Sequence, residues 1–172
     1  MIMKTKRFTL RPVRLEDAEN ICKYQQESEI KKNFMCVPKN MREARKDVKA
    51  KIKDNNLDKT KRKSYNFVID INGKAIGEIG LHDIIYGHKA TSNSWIAKPF
   101  RGKNIATEAR RLLVKYAFKT YNLKRLEANV RTFNKASARV LEKAGYKLEG
   151  ILRKNKYKNG KYLDDMVWAI VK

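Results

Sequence analysis

The sequence predicts an α/β (α+β) fold of three layers, a mixed sheet with helices on its faces. Three observations predict it. Segments of alternating and of helical apolar periodicity follow one another in the order β, α, α, β, β, β, α, β, α, β, β. Two Asn-Gly pairs, Asn72–Gly73 and Asn159–Gly160, each separate two strand-like runs and so signal tight hairpins. A meander of strands followed by β-α-β-α buries its apolar stripes by laying helices on a sheet.

The elements follow in chain order. Arg7–Val13 (RFTLRPV) alternates as a strand, and Pro12, which has no N–H to give a ladder, places its end at an edge. Leu15–Gln26 carries Leu15, Ala18, Ile21 and Cys22 at helical spacing, and Met41–Asn56 carries Met41, Ala44, Val48 and Ile52 on one face of a very basic helix. Thr60–Ser64 is a polar loop. Ser64–Ile71 and Lys74–Ile85 are strands joined at Asn72–Gly73, and Ala90–Lys98 is a third strand, stopped by Pro99. The next helix, expected over Thr107–Phe118, lines up Ala109, Leu112, Leu113, Tyr116 and Ala117. Arg125–Thr132 is a strand. Asn134–Tyr146 starts with an Asn N-cap and stops at Gly145, a residue suited to the position after a helix. Lys147–Lys172 forms the closing hairpin.

Composition bounds the function. A chain of 172 residues fits one domain, 1–172, and 42 % apolar residues exclude a disordered polypeptide. No run of about 18 apolar residues offers a membrane span. The first twenty residues lack an apolar core and a small-residue cleavage site, so no secretory signal is expected. Cys22 and Cys36 stand at no metal-ligand spacing and read as reduced thiols of a cytoplasmic protein. Charge is the unusual feature: 41 Lys+Arg against 18 Asp+Glu, a net +23. Two readings of the excess stand, an anionic partner such as a phosphorylated cofactor, RNA or a ribosome, or the solvated surface of a lysine-rich proteome.

The segment KPFRGKNIATEARRLLVKYAF, Lys98–Phe118, is a basic turn running straight into a helix. A helix N-terminus offers unpaired N–H groups and the positive end of a dipole, and so attracts anions. Gly102 supplies backbone freedom, Asn104 is the non-glycine residue best able to turn left-handed, and Arg101 and Lys103 add charge. Neither GxxxxGK[ST] nor GxGxxG occurs here, which excludes a Walker-type site and disfavours a dinucleotide fold. A basic loop that merely caps a core helix is the plain alternative.

Trp95–Trp168 resembles the GNAT superfamily of acyl-CoA-dependent N-acetyltransferases, whose signature [R/Q]-x-x-G-x-[G/A] joins a strand to a long helix. Here it reads Arg101-Gly102-Lys103-Asn104-Ile105-Ala106, with asparagine in place of the second glycine. The block NKASARVLEKAGYKLEGILRKNKYKNGKYLDD resembles the branch of ribosomal-protein N-terminal (alanine/serine) acetyltransferases, and RFTLRPVRLEDAENI is similar to the start of that branch. The resemblance implies a mixed, mostly antiparallel central sheet with helices on both faces, and acetyl-CoA as co-substrate with no metal. It implies that the N–H groups of Gly102, Lys103, Asn104, Ile105, Ala106 and Thr107 hold the coenzyme A pyrophosphate, with Arg101 and Lys103 adding attraction. The pantetheine arm is then expected along Ser94, Trp95 and Ile96, with Asn134 opposite.

Acetyl transfer needs a base for the amine, a donor for the thioester oxygen, and a fate for the thiolate. Many superfamily members place a tyrosine seven residues after the Asn to protonate the sulfur; that position is Leu141 here. The resemblance to the ribosomal branch implies Ser137 instead, whose alternative role is a cap in the first helical turn. Tyr146 and Tyr157 are weaker candidates. Glu78, mid-strand in AIGEIGL, is out of place unless its face lines a cleft, and is read as the base. Glu127 and Asn129 offer a second possibility, with an ion pair as the plain reading of Glu127. His82, Asp83 and His88 match no metal-ligand spacing. Trp95 and Trp168 read as core or cleft walls, and Asp164–Asp165 either line an amine pocket or meet neighbouring lysines. The expected activity is N-acetylation of a primary amine, foremost a protein N-terminus. A polyamine or aminoglycoside acceptor and a non-catalytic RNA-binding module are the alternatives, and monomer and homodimer both stay open.

Overall fold

A computed structural model describes all 172 residues. Its strands are β1 Met3–Lys4, β2 Thr9–Pro12, β3 Tyr65–Ile71, β4 Lys74–Ile85, β5 Lys89–Ile96, β6 Arg125–Arg131, β7 Lys147–Lys158 and β8 Lys161–Val171. Its α-helices are α1 Ala18–Gln25, α2 Ser28–Asn33, α3 Met41–Asn55, α4 Ile105–Tyr121 and α5 Lys135–Lys143. The strands form one sheet in the order β1-β2-β3-β4-β5-β6-β8-β7. All neighbours are antiparallel except β5 and β6. Both Asn-Gly pairs are two-residue hairpin turns: Asn72 and Gly73, like Asn159 and Gly160, all have positive φ, and the registers close at Ile71↔Lys74 and Lys158↔Lys161.

The sheet separates two cores. Phe67, Ile79, Leu113, Tyr121, Leu126 and Leu141 belong to the larger one, beneath α4 and α5. Val13, Ile21, Val48, Val68 and Trp95 belong to the smaller one, beneath α1 and α3. No helix is long and apolar enough to cross a membrane.

Three local differences from the sequence reading have physical reasons. Leu15–Asp17 is a 3-10 turn leading into α1, because the Asp17 carboxylate accepts the Arg14 N–H at 2.7 Å and tightens the entry. The short helix α2 buries only Ile30, so six residues carry no period to read. The two-residue strand β1 was equally silent. It reaches only Thr9 and Leu10, which leaves the Pro12 end of β2 as a free edge although β2 itself is internal.

The pairing of β5 with β6 is what positions the site. Their parallel ladder runs Lys89↔Arg125, Ala90↔Leu126, Thr91↔Glu127 and stops. Beyond it β5 stays paired with β4 as far as Ile96, and β6 stays paired with β8 as far as Arg131. The Ser92 hydroxyl donates to the Glu127 carbonyl at 2.9 Å, closing the apex where the ladder ends. A notch therefore opens between Ser92–Ile96 and Ala128–Arg131, and the chain leaves its β5 bank directly into the basic loop.

Candidate active site

The loop is built to leave donors free. Gly102 has φ +75° and Asn104 has φ 60°, ψ 2°, so both expected left-handed residues turn the backbone. Asn104 occupies the N-cap of α4, yet its side chain caps nothing. None of the N–H groups from Gly102 to Thr107 has a partner among the turn, loop and cap hydrogen bonds; the first to be satisfied is that of Glu108, on the Asn104 carbonyl at 3.1 Å. Six consecutive donors, the last three on the first turn of α4, can bind an anion without further side chains. Lys103 lies beside them with its side chain over Phe100. The Arg101 side chain is otherwise engaged. Its guanidinium donates to the Ile96 carbonyl at 2.9 Å and to Glu27 at 2.7 Å, and also meets Glu29. Glu27 further accepts the Lys98 N–H at 3.0 Å, so the α1–α2 junction clamps the loop from outside.

On the β5 bank, side chains alternate between faces. Trp95 points to the α1–α3 face, where its indole N–H donates to Glu78 at 2.9 Å, so only its backbone borders the notch. Ser92 and Ser94 point to the α4 face and meet Arg110, which donates to Ser92 Oγ at 2.8 Å and to Ser94 Oγ at 2.5 Å. Arg110 is 3 % exposed, faces no carboxylate, and its Nε–H has no partner. Desolvation pushes this guanidinium down from its ordinary range. Tyr146, which also meets Ser92 Oγ at 2.9 Å, is pushed up by burial more than the guanidinium lowers it, so it stays a neutral phenol. Sequence reasoning missed Arg110, although a signal existed: it interrupts the apolar stripe between Ala106 and Leu113.

Across the notch, Asn134 Oδ1 accepts the Ser137 N–H at 3.1 Å and caps α5, while its Nδ2 donates to Asn33 Oδ1 at 2.9 Å and ties α2 to this bank. The capping role considered for Ser137 thus belongs to Asn134. The Ser137 hydroxyl makes no hydrogen bond within the protein, and Leu141 is fully buried.

Behind β4 and β5, on the α1–α3 face, lies a cavity of about 470 Å³. Glu78, 6 % exposed, stands in its wall. Lys51 donates to Glu78 Oε1 at 2.8 Å, and Trp95 and Gln25 donate to Oε2 at 2.9 and 3.2 Å. Three of roughly four carboxylate acceptor positions are therefore filled. Gln25 Oε1, also buried in that wall, has no donor. Desolvation opposes the charge on Lys51, but Glu78 and Asp47 more than offset it and hold the ammonium above its ordinary range. The stabilisation is complete below that range and is lost only as pH rises through the raised value, so Lys51 stays charged at neutral pH. Lys51 and Gln25 were not foreseen; Lys51 follows Ala44 and Val48 on the buried face of α3.

The remaining candidates fall outside these sites. Glu127 is ion-paired with Arg125 at 2.5 Å. Asp165 is buried against Arg131 and Asn155, with arginine in place of the lysines expected, and Asp164 accepts the backbone N–H of Lys154. Tyr157 is exposed on the closing hairpin, and Trp168 is core.

Comparison with known proteins agrees with this fold. The family model described as Acetyltransferase (GNAT) domain matches residues 7–147. The chain is 41 % identical over 117 residues to "Probable N-acetyltransferase YjcK" of Bacillus subtilis (strain 168), covering 67 % of this chain and 65 % of that protein. It is 37 % identical over 101 residues to "Putative ribosomal N-acetyltransferase YdaF" of the same organism, 58 % of this chain and 55 % of that one. It is 31 % identical over 97 residues to the spermidine N(1)-acetyltransferase of Escherichia coli (strain K12), 56 % and 52 %. Among solved structures, an acetyltransferase (GNAT family) from Bacillus anthracis superposes with a TM-score of 0.86 at 25 % identity, over 99 % of this chain and 98 % of that one.

Proposed function

The chain belongs to the GNAT acetyltransferase family and is an acetyl-CoA-dependent N-acetyltransferase, and on that premise we propose that its acceptor is the α-amine of a protein N-terminus, of the ribosomal-protein type. The observation that carries this choice is the charge in the cavity behind β4 and β5. Its carboxylates, Glu43, Asp47 and Glu78, stand among Lys46 and Lys51, with Lys51 shared between Asp47 and Glu78. Such a wall suits one amine, which finds an unpartnered acceptor in Gln25 Oε1. A polyamine brings several positive charges and meets a buried ammonium. The similarity to a spermidine acetyltransferase is what favours that second reading.

In this proposal the free N–H groups of Gly102–Thr107 take the pyrophosphate, and the pantetheine arm enters the notch beside Ser94–Ile96. The amine nitrogen attacks the thioester carbonyl, the C–S bond breaks with its electron pair on sulfur, and the amine proton passes through a cavity water to the open position on Glu78. The Ser137 hydroxyl, free of protein partners, gives a proton to the sulfur from the α5 bank. The five basic residues and no acidic ones between Arg153 and Lys161 would bring the enzyme to a ribosome.

The test is mass spectrometry of bacterial lysate proteins after incubation with labelled acetyl-CoA. Label on one or a few protein N-termini is expected; label found only on small polyamines would overturn the choice of acceptor. Glu78→Gln is expected to lower kcat by about 100-fold. KM for acetyl-CoA should stay nearly constant, because Glu78 faces away from the loop that binds the cofactor. Steady-state kinetics with the labelled acceptor check this.

A further inference from the structure

Arg110 has no role in the chemistry described so far, and its burial needs a reason. A guanidinium removed from water without a carboxylate costs several kcal/mol, and well-packed apolar side chains usually fill such a place at less cost. Here the cation lies under the β5 bank, held by Ser92 and Ser94, with the neutral Tyr146 as its other neighbour. No carboxylate from β5, α4 or the Tyr146 turn approaches it, and the Glu127 side chain is turned to Arg125.

The hydrogen-bond directions are fixed by chemistry. A guanidinium only donates, so Ser92 Oγ and Ser94 Oγ accept from it. Ser92 passes its own hydrogen to the Glu127 carbonyl. Ser94 has no such outlet: its hydroxyl hydrogen has no acceptor within the protein, and it stands on the stretch of β5 that β6 has left unpaired. A hydroxyl that accepts from a cation becomes a stronger donor.

We propose that Arg110 is a positioning residue that acts through the Ser94 hydroxyl to stabilise the thiolate of coenzyme A as it leaves. The proposal rests on acetyl-CoA being the donor. When the C–S bond breaks, its electron pair stays on sulfur, and Ser94 donates to that sulfur while the uncompensated charge of Arg110 lies one side chain behind. This explains how a chain with Leu141 in place of a tyrosine acid tolerates the departing thiolate, and Ser137 completes the protonation from the other bank.

The experiment follows the thiol of bound coenzyme A by the ultraviolet absorbance of its thiolate across pH, which needs no acceptor. In the wild-type protein the bound thiol should titrate below the free coenzyme A thiol measured in the same buffer. In Arg110→Met and in Ser94→Ala it should rise by about one pH unit, a tenfold loss of thiolate at fixed pH. Arg110→Lys should keep most of the lowering. With an acceptor in hand, kcat should fall about tenfold in the first two variants, with KM for acetyl-CoA within about threefold. The unliganded Arg110→Met protein should melt no lower than wild type, because an uncompensated buried charge has gone; a mere packing tie would lower the melting point and leave the thiol unchanged. A thiol titration unaltered in Ser94→Ala overturns the proposal even if Arg110→Met does not fold. That outcome leaves the N-terminal acceptor standing, whereas polyamine-only labelling removes the acceptor without touching Arg110. Failure of the wild type to bind coenzyme A overturns both.

Discussion

Gly102→Glu is expected to weaken coenzyme A binding at least about 100-fold while leaving the fold intact. Two effects arise. At φ +75° a side chain brings backbone strain of about 1 kcal/mol. A Cβ built on Gly102 meets no atom within 4 Å, so the strain is not compounded by a clash and the carboxylate projects into the space faced by the free N–H groups. There it occupies the donors proposed for pyrophosphate and repels it; two like charges about 4 Å apart near a surface cost up to about 4 kcal/mol. The strain is common to the free and bound protein, but the repulsion alone can exceed the roughly 2.7 kcal/mol that a 100-fold change represents. Gly102→Ala carries only the strain, which lowers stability by about 1 kcal/mol, and should bind coenzyme A nearly as the wild type does. Calorimetric titration with coenzyme A separates the two variants, and raising the salt should narrow the gap between them. Equal affinities in the wild type and Gly102→Glu would place the pyrophosphate somewhere other than the start of α4.

The elements were legible in the sequence where a local rule decides the outcome. Asn-Gly pairs set both hairpins, Asn134 set the start of α5, and the lone Gly102 with Asn104 set the loop, because left-handed backbone is a property of single residues. The sheet order was not legible, since the short β5–β6 ladder, which ends at Thr91↔Glu127, is a pairing between strands distant in sequence. The site was half legible. Residues that face a cleft through their backbone, Gly102 to Thr107, follow from a loop signature. Side chains that act by meeting a distant partner do not: Arg101 reads as a phosphate ligand but closes on Glu27 and Glu29 from a helix with no readable period. Lys51 looks like one more surface charge in a helix full of them until the sheet places Glu78 against it. Arg110 is the reverse case, a charge in an apolar stripe that composition alone would assign to the excess of +23.

Arg11→Met should be the most damaging single change to stability, and its effect should reach the cofactor. Arg11 is buried and donates to both oxygens of Asp17, at 2.7 and 2.8 Å, and to Asp70 at 2.7 Å. The Asp17 hydrogen bond, more than burial opposes it, and the Asp70 bond hold the guanidinium above its ordinary range, so the cation persists at every accessible pH. Methionine fills the volume but leaves two buried carboxylates facing each other, a loss of about 3–5 kcal/mol. For a domain of this size that lowers the melting temperature by roughly 10 °C. Asp17→Asn with Asp70→Asn in the same chain should recover part of it, because neutral amides remove the repulsion that truncation exposes. Asp17 also holds the Arg14 N–H at the entry to α1, and the far end of α1 supplies Gln25 and, just beyond it, Glu27, the clamp on Lys98 and Arg101. Well below its melting point, Arg11→Met should therefore bind coenzyme A several-fold more weakly, through a loop less firmly held. Undiminished affinity in the folded variant would show that the loop keeps its shape without α1, and that Gly102 and Asn104 suffice to set it.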